Sequence, residues 1–263
     1  MSIPLRPGAA ARPATSSGAP DPLAPLLELP GVREAADGAR AAIDRLLGHK
    51  VLRRESAGVS SESALRGARA SAALEGIDVP LADVKAGTVE DPVLQGALRV
   101  SAGLGSMVET WSRAPGQVLA RLHLLAAADL VDSADLGRPA AHAGPRLSGL
   151  FALVTGTTAV PAVIVAGLVH GELAAMAPFG TADGLVARAA GRLTGIARGL
   201  DPKAVSVPEV GFAEFGREAY LQALSGYASG APDGVAGWLV HCCRATEHGA
   251  LEGLAICESL LRG

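Results

Sequence analysis

The residues best placed to do chemistry stand near the middle of the second half, where a loop of small side chains leads through Gly184 to Arg188 and Arg192. The two arginines are spaced one helical turn apart, so on a helix they share a face. Guanidinium groups beside a glycine-rich helix start can hold a phosphate or carboxylate by charge-assisted hydrogen bonds. A structural alternative stands beside this: Asp183 caps the following helix, and Arg188 is a surface or framework charge. No base opens the loop, because its first residues are Ala177, Pro178 and Phe179.

Other chemistry-bearing residues form weaker patterns. His241, Cys242, Cys243, His248 and Cys257 cluster in sequence. Adjacent cysteines on a helix point in divergent directions, however, and no Cys-x-x-Cys spacing occurs, so no metal site is expected. Buried thiols without an activating partner are inert packing. His123 and His170 fall in apolar helical runs and read as core histidines with internal partners. No dinucleotide fingerprint and no phosphate-loop motif is present.

Composition narrows the class of molecule that must position these residues. With 263 residues, 49% of them hydrophobic, and a net charge of −3, the chain can bury one large core or two modest ones. Aromatic residues make up only 3%, which favours close-packed helices over a β-sandwich, so an all-α fold is expected. No run of Lys or Arg marks a nucleic-acid surface. The longest apolar run, Ala159 to Val169, falls short of the roughly 20 residues a membrane helix needs and reads as a buried central helix. The odd count of three cysteines argues against a disulfide framework and for a reducing compartment, the cytoplasm. The N-terminus lacks the pattern of a secretory signal.

Residues 1–24 form a Pro/Ala/Gly-rich leader expected to stay flexible. From Val32 the apolar positions Ala35, Ala36, Ala39, Ile43, Leu46 and Leu47 recur at helical spacing up to Gly48. A second helix is expected from a Ser60-Ser61 cap, with Glu62 in its first turn, to Glu75-Gly76. Further helices are expected over Pro92 to Trp111, Gln117 to Val131, and Pro161 to Met176, with Pro161 in the first turn. Three more follow the loop: Gly184 to Arg198, Gly211 to Tyr227, and Gly234 to Leu261, the last capped by Asp233. No segment alternates as a strand would.

In this setting the loop Ala177-Pro178-Phe179-Gly180-Thr181-Ala182-Asp183-Gly184-Leu185-Val186-Ala187-Arg188 resembles the signature of the Fic (Fido) family. That signature reads His-Pro-Phe, two residues, Gly-Asn-Gly-Arg, two residues, Arg. Pro178, Phe179, Gly184 and Arg188 match it, and His170 stands where the family usually has a histidine seven residues before the catalytic one. The resemblance extends to a class with an N-terminal inhibitory helix, whose Ser-x-x-x-Glu-Gly pattern is met by Ser71, Glu75 and Gly76. Arg121-Leu122-His123 is similar to the Leu-His of the helix that opens the family core, and Tyr220 to Trp238 to its closing helices. The implied organisation is an N-terminal helical region over 25–116, carrying the inhibitory-type motif at 71–76, and a Fic-like core over 117–258.

Active members transfer AMP or another phosphate-bearing group from a nucleotide to a protein hydroxyl. This chain departs from the motif where that chemistry resides. Ala177 replaces the histidine base, and Thr181 replaces the acidic residue that helps hold the divalent metal. Asp183 puts a negative charge at the asparagine position, and Leu185 replaces the first arginine. No counterpart of the family's β-hairpin flap is evident between Asp132 and Gly149. The resemblance implies that Glu75 pairs with Arg188 and fills the phosphate position. The expectation is a degenerate Fic-fold protein that binds a partner protein or a nucleotide-like anion at Gly184, Arg188 and Arg192, with no cofactor. The alternative is residual or repurposed transfer using ATP and Mg²⁺. No nucleic-acid or membrane partner is expected.

Overall fold

The computed structural model describes residues 21–262. Among them are helices α1 (Val32–Leu47), α2 (Ser56–Leu74), α3 (Leu81–Ala86), α4 (Pro92–Trp111), α5 (Pro115–Ala127), α6 (Gly144–Thr155), α7 (Ala162–Met176), α8 (Asp183–Ala197), α9 (Pro208–Glu214), α10 (Arg217–Ala228) and α11 (Pro232–Arg262). No strand occurs among the described residues, so the fold is all-α as the composition implies. No helix among them is long and apolar enough to cross a membrane.

The packed pair α7–α8 forms the centre. Val163, Ile164, Val165, Val169 and Leu173 of α7 are buried on several sides of the helix, as are most residues of α8 from Leu185 to Ile196. A helix without a polar face must lie inside the molecule. One apolar cluster joins α7 to α1 and α11 around Ile43, Leu46, Trp238 and Leu239. A second joins α8 to α4 and α5 around Leu94, Trp111, Leu122 and Leu193. The amphipathic spacing read from α1 is realised: Val32, Ala36, Ala39, Ile43 and Leu46 are buried.

Several boundaries differ from the sequence expectations, each for a local reason. Helix α2 begins at Ser56, directly after a 3-10 turn over Lys50–Arg53, so Ser60 and Ser61 lie within it and cap nothing. Pro161 is the extended N-cap of α7, and Asp233 sits inside the first turn of α11 behind Pro232. The run expected over Gly211 to Tyr227 is divided into α9 and α10, with Gly216 in a non-helical conformation between them. Helices α3 and α6 are short and were not expected. Most of the leader lies outside the described residues. Its last part is held, because Asp21 accepts hydrogen bonds from Thr158 Oγ1 at 2.6 Å and Ala159 N at 2.8 Å.

Candidate functional site

The loop between α7 and α8 is folded by its own residues. Ala177 ends α7 in the left-handed region at φ 44°, and Ala182 precedes α8 at φ 54°. For residues with a Cβ such conformations are strained, so the surrounding contacts must impose them. Asp183 supplies one of these contacts, its Oδ1 accepting from Phe179 N at 2.9 Å. Asp183 is thus the first residue of α8 and closes the loop from behind, whereas the cap position belongs to Ala182. Burial, together with the nearby Glu75 carboxylate, raises the Asp183 pKa above its ordinary value, although the amides of Phe179 and Gly180 oppose the shift.

Pro178 and Phe179 act as anchors. Phe179 stacks on His123 with ring centroids 4.2 Å apart and planes 6° from parallel. His123 Nδ1 accepts from Gly137 N at 2.9 Å, which places the ring proton on Nε2, where it has no hydrogen-bond partner among the described residues. The Pro178 carbonyl accepts from Ala140 N at 2.8 Å. The segment from Asp132 to Gly149 therefore leans on the loop, but it holds turns and the start of α6 and no hairpin. Ala177 is exposed, Thr181 half-buried, and Leu185 is packed in the core at 2% exposure.

Beneath the loop lies a buried polar network centred on Arg188. Its Nε donates to Ser71 Oγ at 2.7 Å, and Nη2 donates to the Ser71 carbonyl at 3.1 Å and to Glu75 Oε1 at 2.5 Å. Nη1 reaches Tyr220 Oη at 3.4 Å, and that hydroxyl in turn meets His170 Nε2 at 2.8 Å. A guanidinium in this position joins α2, α8 and α10. Burial alone would disfavour its charge, but the nearby Tyr220 and Glu75 more than offset this and hold the Arg188 pKa above its usual value. Burial, with the Arg188 charge and the neighbouring His241, pushes His170 well below its ordinary 6.5, so the imidazole is neutral.

Glu75 reaches this network from the C-terminal end of α2. The helix stops at Glu75, and Gly76 turns the chain away at φ 98°, a conformation glycine adopts without a Cβ penalty. The Glu75 carboxylate rests against the first turn of α8: a Cβ on Gly184 would collide with Glu75 Oε1. Gly184 therefore serves a close approach, and what approaches is a side chain of this same protein. The carboxylate lies where the helix dipole and Arg188 both attract negative charge.

The structure separates Arg192 from this arrangement, correcting the expectation that it extends an anion-binding face. Its Nη2 donates to the carbonyls of Ala204 at 3.3 Å and Ser206 at 3.0 Å, and Nη1 lies 3.5 Å from Glu209 Oε2. Although the two arginines share a helix face, Arg188 extends toward α2 and α10 and Arg192 toward α9 and the segment before it. Tyr220 is the member of the network that sequence reasoning missed as a partner of Arg188. Its position in a closing helix was the only available signal. The cysteines are buried, and burial pushes the Cys243 thiol up to about 12, so none is an activated nucleophile.

No protein-family model and no curated protein matches the chain. Solved structures do. The chain is similar to a Fic family protein from Desulfovibrio desulfuricans G20, with a TM-score of 0.71 at 19% identity, covering 86% of this chain and 74% of that one. It is also similar to a fragment of Fic-1 from C. elegans, with a TM-score of 0.67 at 14% identity, covering 90% and 75% respectively. The chain has the fold of Fic family proteins.

Proposed function

We propose that this protein is a degenerate member of the Fic class, acting by binding a partner protein, or a nucleotide-like anion once Glu75 leaves Arg188, and not by transferring AMP. The observation that carries the proposal is the Glu75 carboxylate on Arg188 and against Gly184; on this reading it stands in for a phosphate. The remaining residues do not fit an ATP–metal complex. Ala177 cannot take a proton, Thr181 is a poor substitute for a carboxylate toward a divalent cation, and Asp183 adds negative charge beside the loop. Partner binding then falls to the exposed side of the loop and the Asp132–Gly149 segment that leans on it. The three buried free thiols accord with a reducing compartment such as the cytoplasm.

Incubation with labelled ATP and Mg²⁺ or Mn²⁺ tests this reading, with the wild-type chain and Glu75→Gly side by side. Neither protein is expected to incorporate label, even when Arg188 is freed. Incorporation that depends on removal of Glu75 would instead establish the alternative, a residual nucleotidyl transferase restrained by α2.

A further inference from the structure

On the side of Arg188 and His170 away from the loop, a largely buried cavity of about 50 Å³ lies between α7, α8, α9 and α11. Its lining residues are buried apart from Ala166 and Pro208. The lining is mixed: Val163, Leu200 and Phe212 are apolar, whereas Arg188, Arg192, Asp201, Glu209 and Thr246 are charged or polar.

Arg192 is only 8% exposed, yet its Nε–H has no partner among the described residues. The other nitrogens of the same guanidinium are engaged, with two backbone carbonyls and at long range with Glu209. A buried donor left unpaired is strongly disfavoured, and native structures satisfy such groups with ordered water when no protein atom is in reach. Acceptors line the same space. The Thr246 hydroxyl donates to the Cys242 carbonyl at 2.9 Å and keeps its lone pairs free to accept. The Glu209 carboxylate holds Arg192 only at 3.5 Å and retains capacity for more.

Size and charge narrow the occupant. A water needs about 10–15 Å³ of such volume, so the space admits a few waters and excludes a nucleotide. The charged residues of the lining balance, Arg188 and Arg192 against Asp201 and Glu209, so the cavity offers no net charge to hold a lone ion and neutral water suits it. We propose that the cavity is a built hydration site: a small cluster of ordered waters that accepts from Arg192 Nε and donates onward to Glu209 and Thr246, linking α8, α9 and α11.

A crystal structure of the full chain, at a resolution that shows ordered water and recorded with and without xenon pressurisation, tests this. The expected result is water density within about 3.2 Å of Arg192 Nε, unchanged under xenon. A cavity with no density, one that fills with xenon, or one holding a single ion would overturn the proposal, since a dry cavity takes up apolar gas and a hydrated one does not.

Discussion

Arg188 carries its charge where water is excluded, so its partners must do what solvent would otherwise do. Ser71, Glu75 and Tyr220 together engage all its nitrogens. Replacing Arg188 with Met should cost about 3–5 kcal/mol, because the carboxylate and the two hydroxyls lose a partner they were arranged around. Glu75→Gln should cost less, about 1 kcal/mol. Its side chain is 32% exposed, so solvent screens the lost charge, and an amide oxygen can still accept. Urea denaturation of both variants measures the difference, and equal costs would mean that Arg188 is not the centre of the network. At this scale the sequence was legible for Arg188, Glu75, Ser71 and Gly184, since a spaced motif marks each of them. It was not legible for Arg192 or Tyr220. Arg192 shares a helix face with Arg188 but not its target, because long side chains diverge over a single turn, and Tyr220 meets Arg188 across 32 positions of chain.

Helix ends decide how accurately these side chains are presented. Asp91 caps α4 with Oδ1 accepting from Val93 N at 2.9 Å and Leu94 N at 3.1 Å. Helix α4 in turn packs Leu94, Ala97 and Val100 into the cluster that supports α8. Asp91→Ala should lower stability by about 1 kcal/mol with the fold intact, as read by chemical denaturation with an unchanged circular-dichroism spectrum. A loss of helical signal would mean that the cap is needed for α4 to form at all. Long periodic helices such as α1 and α4 were legible because an apolar stripe of several turns has no competing interpretation. The division between α9 and α10 was not, since the apolar periodicity runs across Gly216 without interruption. Helix α3, at six residues, offers too few turns to show a period, whereas α6 has one in Leu147, Leu150 and Val154 and was legible in principle.

For the whole molecule, pH reports how many neutral histidines folding encloses. Burial lowers His170, His123 and His241 below the ordinary 6.5, assisted by nearby Arg188 and His241 for the first and by Arg244 for the last. A base with a lowered folded pKa binds more protons once unfolded. Stability is therefore kept above pH 6.5 and lost as pH falls through that unfolded value. Thermal unfolding should shift to lower temperature between pH 7 and pH 5, and His170→Gln should flatten that slope even if it lowers stability at every pH. An unchanged slope would show that His170 titrates freely in the folded protein. The all-α class and the loop's scaffold were legible from composition and motif together, but the seating of Glu75 depends on how α2 meets α8, which no local pattern contains. On the proposed reading, this carboxylate fills the anion position of the loop. Calorimetric titration of pyrophosphate into the wild-type protein and Glu75→Gly tests it most directly. Heat of binding from the variant alone is the predicted result; equal binding by both proteins, or none by the variant, would contradict it.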